Sequence, residues 1–450
     1  MALISPFKGE RFSQGSIKFE YKGGQMPKMF RHAKRFGMVA MAVLLSGALL
    51  LGSVVPAKAE PGEAVKIGFG TIYRGFLSTV GVHYCNGVFD YVSYLNEQGG
   101  INGHKVEIAW RETGTVLPDI VMAYRRLKGE GILMYFSTAA EVGGSLVPLA
   151  KRDGIPLNFV DAFHPSALSK PHQWMVCSFP DFATAFAMMT KWTEENLWTE
   201  AHPMRVGYIF YDLAVSRYAL EATKYFDKMG AEFVGYEVVP VTAIDASTEL
   251  LRLARKDPDF VYMHAFGMAT TVIVKDSARL GLQQEGIRFV AAPNTLDECA
   301  LGVVGKDANG WYLANITPIY FETERCPELN TIIRAAQEYR GTKPEDLKGF
   351  YTGGWVHTMV GLEAIRVAME EVGYENLTGR AVRDALFGGG IKDFDTGILP
   401  PLTITENTPY LAETFGAYEI REGRYCPLGR VEALPSMLIT PEEFERALEK

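Results

Sequence analysis

From Val65 onward the chain alternates short apolar runs with segments of helical periodicity, and this alternation restricts the fold more than any other feature. Residues 65–70 (VKIGFG) read as a buried strand. Residues 82–96 read as a helix, with Val88, Tyr91, Val92 and Leu95 at helical spacing. Gln98-Gly99-Gly100-Ile101-Asn102-Gly103 ends that helix and turns the chain, because glycine accepts positive φ. Residues 105–110 alternate as the next strand. The scheme then repeats, with helices over 117–130 and 144–152 and strands over 132–136 and 156–160. A second series starts near Asp181. Its helices are predicted over 182–196, 218–229, 248–256 and 270–280, and its strands over 205–211, 232–239, 260–264 and 287–291. Strands alternating with helices build parallel sheets flanked by helices. The fold class is therefore α/β, with two doubly wound parallel-sheet lobes. In open parallel sheets the ligand lies beyond the carboxyl ends of the strands, so two facing lobes place it in the cleft between them.

The N-terminal region is of a different kind. Lys28, Arg31, Lys34 and Arg35 precede an uncharged stretch over 36–56, and Ala57-Lys58-Ala59 follows. A basic segment, an apolar segment and a small-residue cleavage site are the three parts of a secretory signal. An apolar run of this length can also anchor a chain in a bilayer, but Gly, Ser and Pro dilute this one ahead of the A-x-A site. Cleavage near Ala59 and a periplasmic or secreted location are expected. No Cys follows the apolar run, so a lipoprotein is not. The polar preface over 1–25 is longer than such a signal needs, which points to a translation start at Met26 or Met29.

Five cysteines are too few for a disulfide scaffold, and no C-x-x-C pair marks a zinc site. In an oxidising compartment an odd count leaves at least one thiol free. Cys299 with Cys326 is a candidate pair; four buried thiols and one surface thiol are the alternative. The formal net charge is −8, and no basic block follows the N-terminal region, which argues against a nucleic-acid partner. Gly68-Phe69-Gly70 follows the first strand, but position 73 is Tyr, so the dinucleotide fingerprint fails and the glycines read as turn residues. The phosphate-loop, nucleophile-elbow and zinc-protease motifs are all missing from the sequence. Eight His are scattered without metal-ligand spacing. No catalytic residue, cofactor or metal is predicted.

The segments after the strands are aromatic and polar, the composition of a pocket with apolar walls and a few placed polar groups. After the first strand come Tyr73, Phe76, Ser78 and Thr79. After the third come Ser137-Thr138-Ala139-Ala140-Glu141, opening a helix whose backbone N–H groups can hold a carboxylate. The fourth ends at Asp161-Ala162-Phe163-His164. The second series gives Tyr211-Asp212-Leu213 with Ser216 and Arg217, then His264-Ala265-Phe266 and Pro293-Asn294-Thr295.

Leu95-Asn96-Glu97-Gln98-Gly99-Gly100-Ile101-Asn102-Gly103, followed by KVEI, resembles the "LN-x-x-GGI-x-G" signature of periplasmic branched-chain amino-acid-binding proteins. Those are the substrate-binding subunits of ABC importers and have the type I periplasmic-binding fold. The segments over 152–156, 260–262 and 350–355 are similar too, and their order and spacing fit from Val65 to Glu419. The resemblance implies two lobes joined by three crossovers, near 179–181, 316–318 and 397–402. Lobe 1 is then 60–180 plus 318–398, and lobe 2 is 181–317 plus 399–450, after a signal region over 1–59. Closure would follow hinge motion at the crossovers. The partners implied are a small-molecule ligand and a membrane permease, with the protein itself a monomer.

Carried over residue by residue, Ala140 falls at the family's carboxylate-binding Ser, with Thr138 nearby. Phe163 and His164 stand where the family has Ala and Ser or Thr. Phe266 stands at the family's second-lobe Tyr. Asn294 stands at its acidic partner for the α-ammonium, with Asp297 or Glu298 as substitutes if the loop shifts. His164 and Arg217 are candidate anion partners. With Phe76, Val80, Glu141, Ser216, Phe350 and Tyr351 these make the expected ligand-binding set. The expected function is an extracytoplasmic solute-binding protein for a hydrophobic amino acid or a related apolar or aromatic carboxylate. The alternatives are an exported ligand sensor or regulator of the same fold, and a secreted α/β enzyme.

Overall fold

β1 (Val65–Thr71) shows why the first glycines are where they are. Val65, Ile67, Phe69 and Thr71 are completely buried. Gly68 and Gly70 leave room for neighbours: a Cβ at Gly68 would stand 2.4 Å from Ile132 Cδ1, and one at Gly70 2.3 Å from the Tyr135 hydroxyl. These are packing glycines in a strand, where a side chain would collide. The computed structural model describes residues 64–75, 77–138, 143–160, 174–177, 181–408, 414–437 and 440–449. The predicted export signal and its alternative starts lie outside the described residues.

After β1 come α1 (Ser78–Glu97), β2 (Val106–Glu112), α2 (Leu117–Gly129), β3 (Tyr135–Ser137), α3 (Gly143–Asp153), β4 (Leu157–Phe159) and β5 (Met175–Cys177). The five strands form one parallel sheet in the order β2-β1-β3-β4-β5. α4 (Phe182–Leu197), β6 (Met204–Tyr211), α5 (Ala214–Tyr218), β7 (Ala231–Val239) and α6 (Ser247–Ala254) open the second series. It continues with β8 (Phe260–His264), α7 (Met268–Arg279), β9 (Arg288–Ala291), α8 (Glu298–Val304) and β10 (Tyr312–Asn315). α9 (Leu329–Arg340), α10 (Gly349–Val372) and α11 (Gly379–Phe387) follow, and α10 packs along α1 of the first lobe. β11 (Phe415–Arg421), β12 (Arg424–Val431) and α12 (Pro441–Leu448) close the chain. The second sheet runs β12-β11-β10-β9-β8-β6-β7, parallel from β7 to β10 and antiparallel at its β11–β12 edge. This is the two-lobed α/β architecture expected from the alternation.

Several details differ from expectation, among them two strands not predicted, β5 and β10. The predicted helix over 218–229 is mostly 3-10 helix, Ala219–Tyr225 and Asp227–Met229. Its buried residues, Ala219, Ala222, Phe226 and Met229, keep the helical 3-4-3 spacing that prompted the expectation, so the tighter turn is not read from the burial pattern. The closing hairpin was not anticipated; it turns at Glu422-Gly423, both at positive φ, as a two-residue hairpin loop requires.

α1 and α10 cross with their backbones in contact. A Cβ at Gly87 would lie 2.1 Å from the Tyr351 carbonyl oxygen, and one at Gly354 2.2 Å from that of Tyr84. The pair of glycines in 350–355 is thus explained at Gly354 by close approach. Asp90 of α1 fixes the crossing: it accepts from Arg340 of α9 at 2.6 Å and from the Tyr351 hydroxyl at 2.9 Å. Where the chain first crosses to the second lobe, buried Asp181 caps α4 by accepting from the Thr184 N–H at 2.8 Å, and also takes the Ser436 hydroxyl at 2.9 Å. The C-terminal segment is thereby tied to the crossover.

All five cysteines are free. The candidate Cys299–Cys326 bridge is not formed, because the two thiols serve different seams: Cys299 faces the Thr79 carbonyl and Cys326 that of Ile398, each at 3.9 Å. No helix among the described residues is long and apolar enough to cross a membrane.

Candidate functional site

Each sheet reverses its strand order once, between β1 and β3 and between β6 and β8. The crevice outside such a switch point is where an open α/β sheet receives its ligand. In the first lobe the strands end there at Thr71 and at Ser137-Thr138. In the second they end at Tyr211 and His264.

A small, partly open cavity lies between the lobes, against the second and third crossovers. α10 supplies one wall through Gly349, Phe350, Gly353, Val356 and His357, with Tyr84 of α1 beside it and Val160 after β4. The opposite wall is Asn294 after β9, Ile316 and Thr317 after β10, and Leu399. No charged side chain stands among these lining residues.

Asn294 is placed by its backbone. Its φ is +58, a conformation Asn tolerates better than most residues. Its side-chain oxygen accepts from the Ile316 N–H at 3.0 Å, joining the end of β9 to the second crossover. That leaves the amide NH₂ as the donor on this wall.

Aromatic rings continue from the cavity into lobe 2. Phe350 meets Phe266 at 6.3 Å between centroids, Phe266 meets Tyr211 at 6.1 Å, and Tyr211 meets His264 at 5.7 Å. His264 is fully buried, its ring 4.1 Å from that of Phe182 and tilted against it by 33°. Burial pushes its imidazole down to about 3, so it is neutral. The Tyr208 hydroxyl donates to the Ser216 carbonyl at 2.9 Å, which leaves it to accept from His264 Nδ1 at 3.3 Å. Nε2 of His264 is then an acceptor without a partner.

Acidic groups cluster just outside the cavity. Glu298 Oε2 accepts from the Gly349 N–H at 3.0 Å, linking α8 to the first turn of α10. Thr317 donates to the Gly349 carbonyl at 3.2 Å. Asp297 caps α8 through Oδ1, which accepts from the Ala300 N–H at 2.8 Å, while its Oδ2 is buried and unpartnered. Burial first, and the neighbouring Glu298 second, push the Asp297 carboxyl up to about 7.

Of the expected site residues, Asn294 and Phe350 line the cavity and Phe266 packs against Phe350. Val80 is buried in the first turn of α1, beside the Thr79 carbonyl that faces Cys299. Thr138 stands at the end of β3 with its hydroxyl buried and unpartnered. Ser216 is buried in α5 with its hydroxyl likewise unpartnered. Arg217 is ion-paired with Asp212 at 2.6 Å and lies over the Phe210 ring. The hydroxyl of Tyr351 is committed to Asp90. Phe76, Ala140, Glu141, Phe163 and His164 lie outside the described residues. Tyr73 turns to the outer edge of its lobe, against Trp110 at 6.4 Å.

Tyr84, His357, Thr317 and Leu399 escaped the sequence reading. Tyr84 and His357 sit at helical spacing inside apolar helices, where they read as core. A signal was present: each lies three residues from a close-contact glycine, Tyr84 from Gly87 and His357 from Gly354, and so on the same helix face.

Comparison with known proteins agrees with this fold. The profile of a family described as periplasmic binding protein matches residues 64–423. The Leu/Ile/Val-binding protein homolog 7 of Brucella suis biovar 1 (strain 1330) is 22% identical over 356 residues, covering 76% of this chain and 85% of that protein. A branched-chain amino acid ABC transporter protein from Thermus thermophilus, solved with bound valine, superposes with a TM-score of 0.72 at 20% identity, covering 84% of this chain and 98% of that one. A solute-binding protein of an ABC transporter from Rhodopseudomonas palustris BisB5, solved with 3,4-dihydroxy benzoic acid, gives 0.67 at 17% identity, covering 83% and 98%.

Proposed function

The chain belongs to the periplasmic binding protein family, and from that premise we propose that it is the extracytoplasmic solute-binding subunit of an ABC importer. Its ligand is a small carboxylate with an apolar or aromatic body and no ammonium group. In this reading residues 1–59 are a removed signal, 60–180 with 318–398 form lobe 1, and 181–317 with 399–450 form lobe 2. The partner is a membrane permease, the subunit acts as a monomer, and no catalytic step is assigned to it.

The observation that carries the ligand class is that no described residue lining the cavity is charged. A buried ammonium without a carboxylate partner would carry a desolvation penalty of several kcal/mol. The family's acidic position holds Asn294, whose oxygen is committed to Ile316. Glu298 is committed to Gly349. The walls instead offer rings and aliphatic groups, and Thr138 offers an unpartnered hydroxyl at the end of β3 for the carboxylate. The structural neighbour solved with a dihydroxybenzoic acid supports the same chemistry.

A second reading, a branched-chain amino acid, is favoured by the unpartnered Oδ2 of Asp297 and by the neighbour that holds valine. A thermal-shift series on the mature protein separates the two, since a ligand at a hundredfold excess over its Kd stabilises by about 2.7 kcal/mol. Benzoate and phenylacetate should raise the melting temperature, while leucine, valine and phenylalanine should not. Stabilisation by leucine but not by its deaminated analogue would reverse the assignment.

A further inference from the structure

Tyr84 and His357, whose rings are 5.6 Å apart, stand side by side in the lining of the cavity and form a recess there. Both residues are 1% exposed. The Tyr84 hydroxyl and both ring nitrogens of His357 are buried without a hydrogen-bond partner. Three unsatisfied polar atoms thus belong to two neighbouring side chains of the cavity lining, whereas buried polar groups are ordinarily paired. Filling that space with protein alone would be cheaper with apolar side chains, because an unpaired buried polar atom carries a desolvation penalty.

The two side chains are also held in place. Gly87 and Gly354 bring the α1 and α10 backbones into contact, so Tyr84 and His357 occupy fixed positions on the touching faces. Phe136 packs on the other side of His357 at 5.7 Å, and Asn158 donates to the His357 carbonyl at 3.1 Å. Preorganised donors and acceptors of this kind confer specificity.

We propose that Tyr84 and His357 form a subsite for an uncharged hydrogen-bonding group, a hydroxyl or a carbonyl, carried by the ligand at a distance from its carboxylate. The proposal rests on the carboxylate-ligand reading above. The recess is selective for neutral groups because Val160, Val356, Ile316 and Leu399 wall the cavity and none of its described lining residues is charged. Burial also keeps His357 uncharged, with its imidazole pushed down to about 3. A neutral imidazole offers one donor and one acceptor, and the phenol offers both functions, so a hydroxyl can be satisfied on each side.

Calorimetric titration tests this with benzoate, phenylacetate, their 3- and 4-hydroxy derivatives, and terephthalate. At least one hydroxylated probe should bind at least tenfold more tightly than its parent acid, and terephthalate should bind no better than benzoate. Tyr84→Phe and His357→Leu should each bring the ratio of parent-acid to hydroxy-acid Kd close to one, whatever either change does to the affinity for the parent acid itself. Circular dichroism on both variants checks that they fold, and Tyr84→Phe alone suffices if His357→Leu does not. Equal affinity for hydroxylated and parent acids in the wild type overturns the subsite alone and leaves the carboxylate reading standing. So does a preference that persists in both variants. Failure of every probe to bind overturns the carboxylate reading and the subsite with it.

Discussion

Glu298 of α8 accepts the backbone N–H of Gly349, 3.0 Å away in the first turn of α10, so one carboxylate oxygen joins the second lobe to a helix packed on the first. Thr317 of the second crossover holds the carbonyl of the same glycine at 3.2 Å. Both polar groups of Gly349 are thus satisfied from across the seam. Glu298→Ala removes the acceptor. A hydrogen bond to a charged group contributes about 1.5–3 kcal/mol, so ligand affinity should fall by roughly 10- to 150-fold if closure relies on this seam. Glu298→Gln keeps an acceptor oxygen and should stay near wild type. Titration gives the affinities and small-angle scattering the lobe separation; unchanged values in the Ala variant would show that closure does not depend on this contact.

The α1–α10 crossing gives a prediction with opposite signs at adjacent residues. Replacing a mid-helix Gly by Ala ordinarily stabilises by about 1 kcal/mol. At Gly353 nothing lies within 4 Å of the new Cβ, so Gly353→Ala should follow that rule. At Gly354 the Cβ would stand 2.2 Å from the Tyr84 carbonyl oxygen, and the helices must separate. Gly354→Ala should therefore destabilise by about 1–3 kcal/mol or more, as overpacking does. Urea unfolding of the two variants side by side measures the difference.

That crossing also marks where the sequence stops being informative. The strands were legible because parallel strands are buried on both faces and read as continuous apolar runs; Phe260–His264 falls where its pattern put it. Asn294 and Phe350 were legible as residues at the ends of elements. Tyr84 and His357 were not, since a ring at helical spacing looks the same whether it faces core or cavity. Only the contact between two helices more than 250 positions apart in the chain brings them together. Arg217 shows the reverse case. As a lone cation in a loop it reads as an anion partner, and its pairing with Asp212 follows from the turn at α5.

Buried titratable groups near the site act in opposite directions with pH. Asp297 has a folded pKa raised to about 7, so its contribution is fully present below the unfolded carboxylate value and is lost as pH rises through about 7. His264 and His357 are lowered to about 3, so their contribution is present above the unfolded histidine value and is lost as pH falls toward 3. The clean measurement is therefore a difference. Asn is also a good helix cap, so Asp297→Asn should keep α8 capped. Relative to wild type the variant should gain stability on going from pH 5 to pH 8, measured by urea midpoints at each pH. A constant difference across that range would remove Asp297 as a titrating group.

Thr138 separates ligand binding from stability. Its hydroxyl is buried and unpartnered at the end of β3, where the strand runs out toward the cleft. A buried hydroxyl without a partner carries a desolvation penalty with no compensating bond, and Val fills nearly the same volume without it. Thr138→Val should therefore leave the unfolding midpoint unchanged or raise it slightly. If the hydroxyl donates to the ligand carboxylate, the same variant loses a charge-assisted hydrogen bond of about 1.5–3 kcal/mol, and the Kd for phenylacetate should rise by roughly 10- to 150-fold. Structural residues move both quantities in the same direction, so a weaker complex in an equally stable protein is the signature of a binding group. An unchanged Kd would place the carboxylate elsewhere in the cleft, and a lowered midpoint would mean that the hydroxyl is satisfied within the fold.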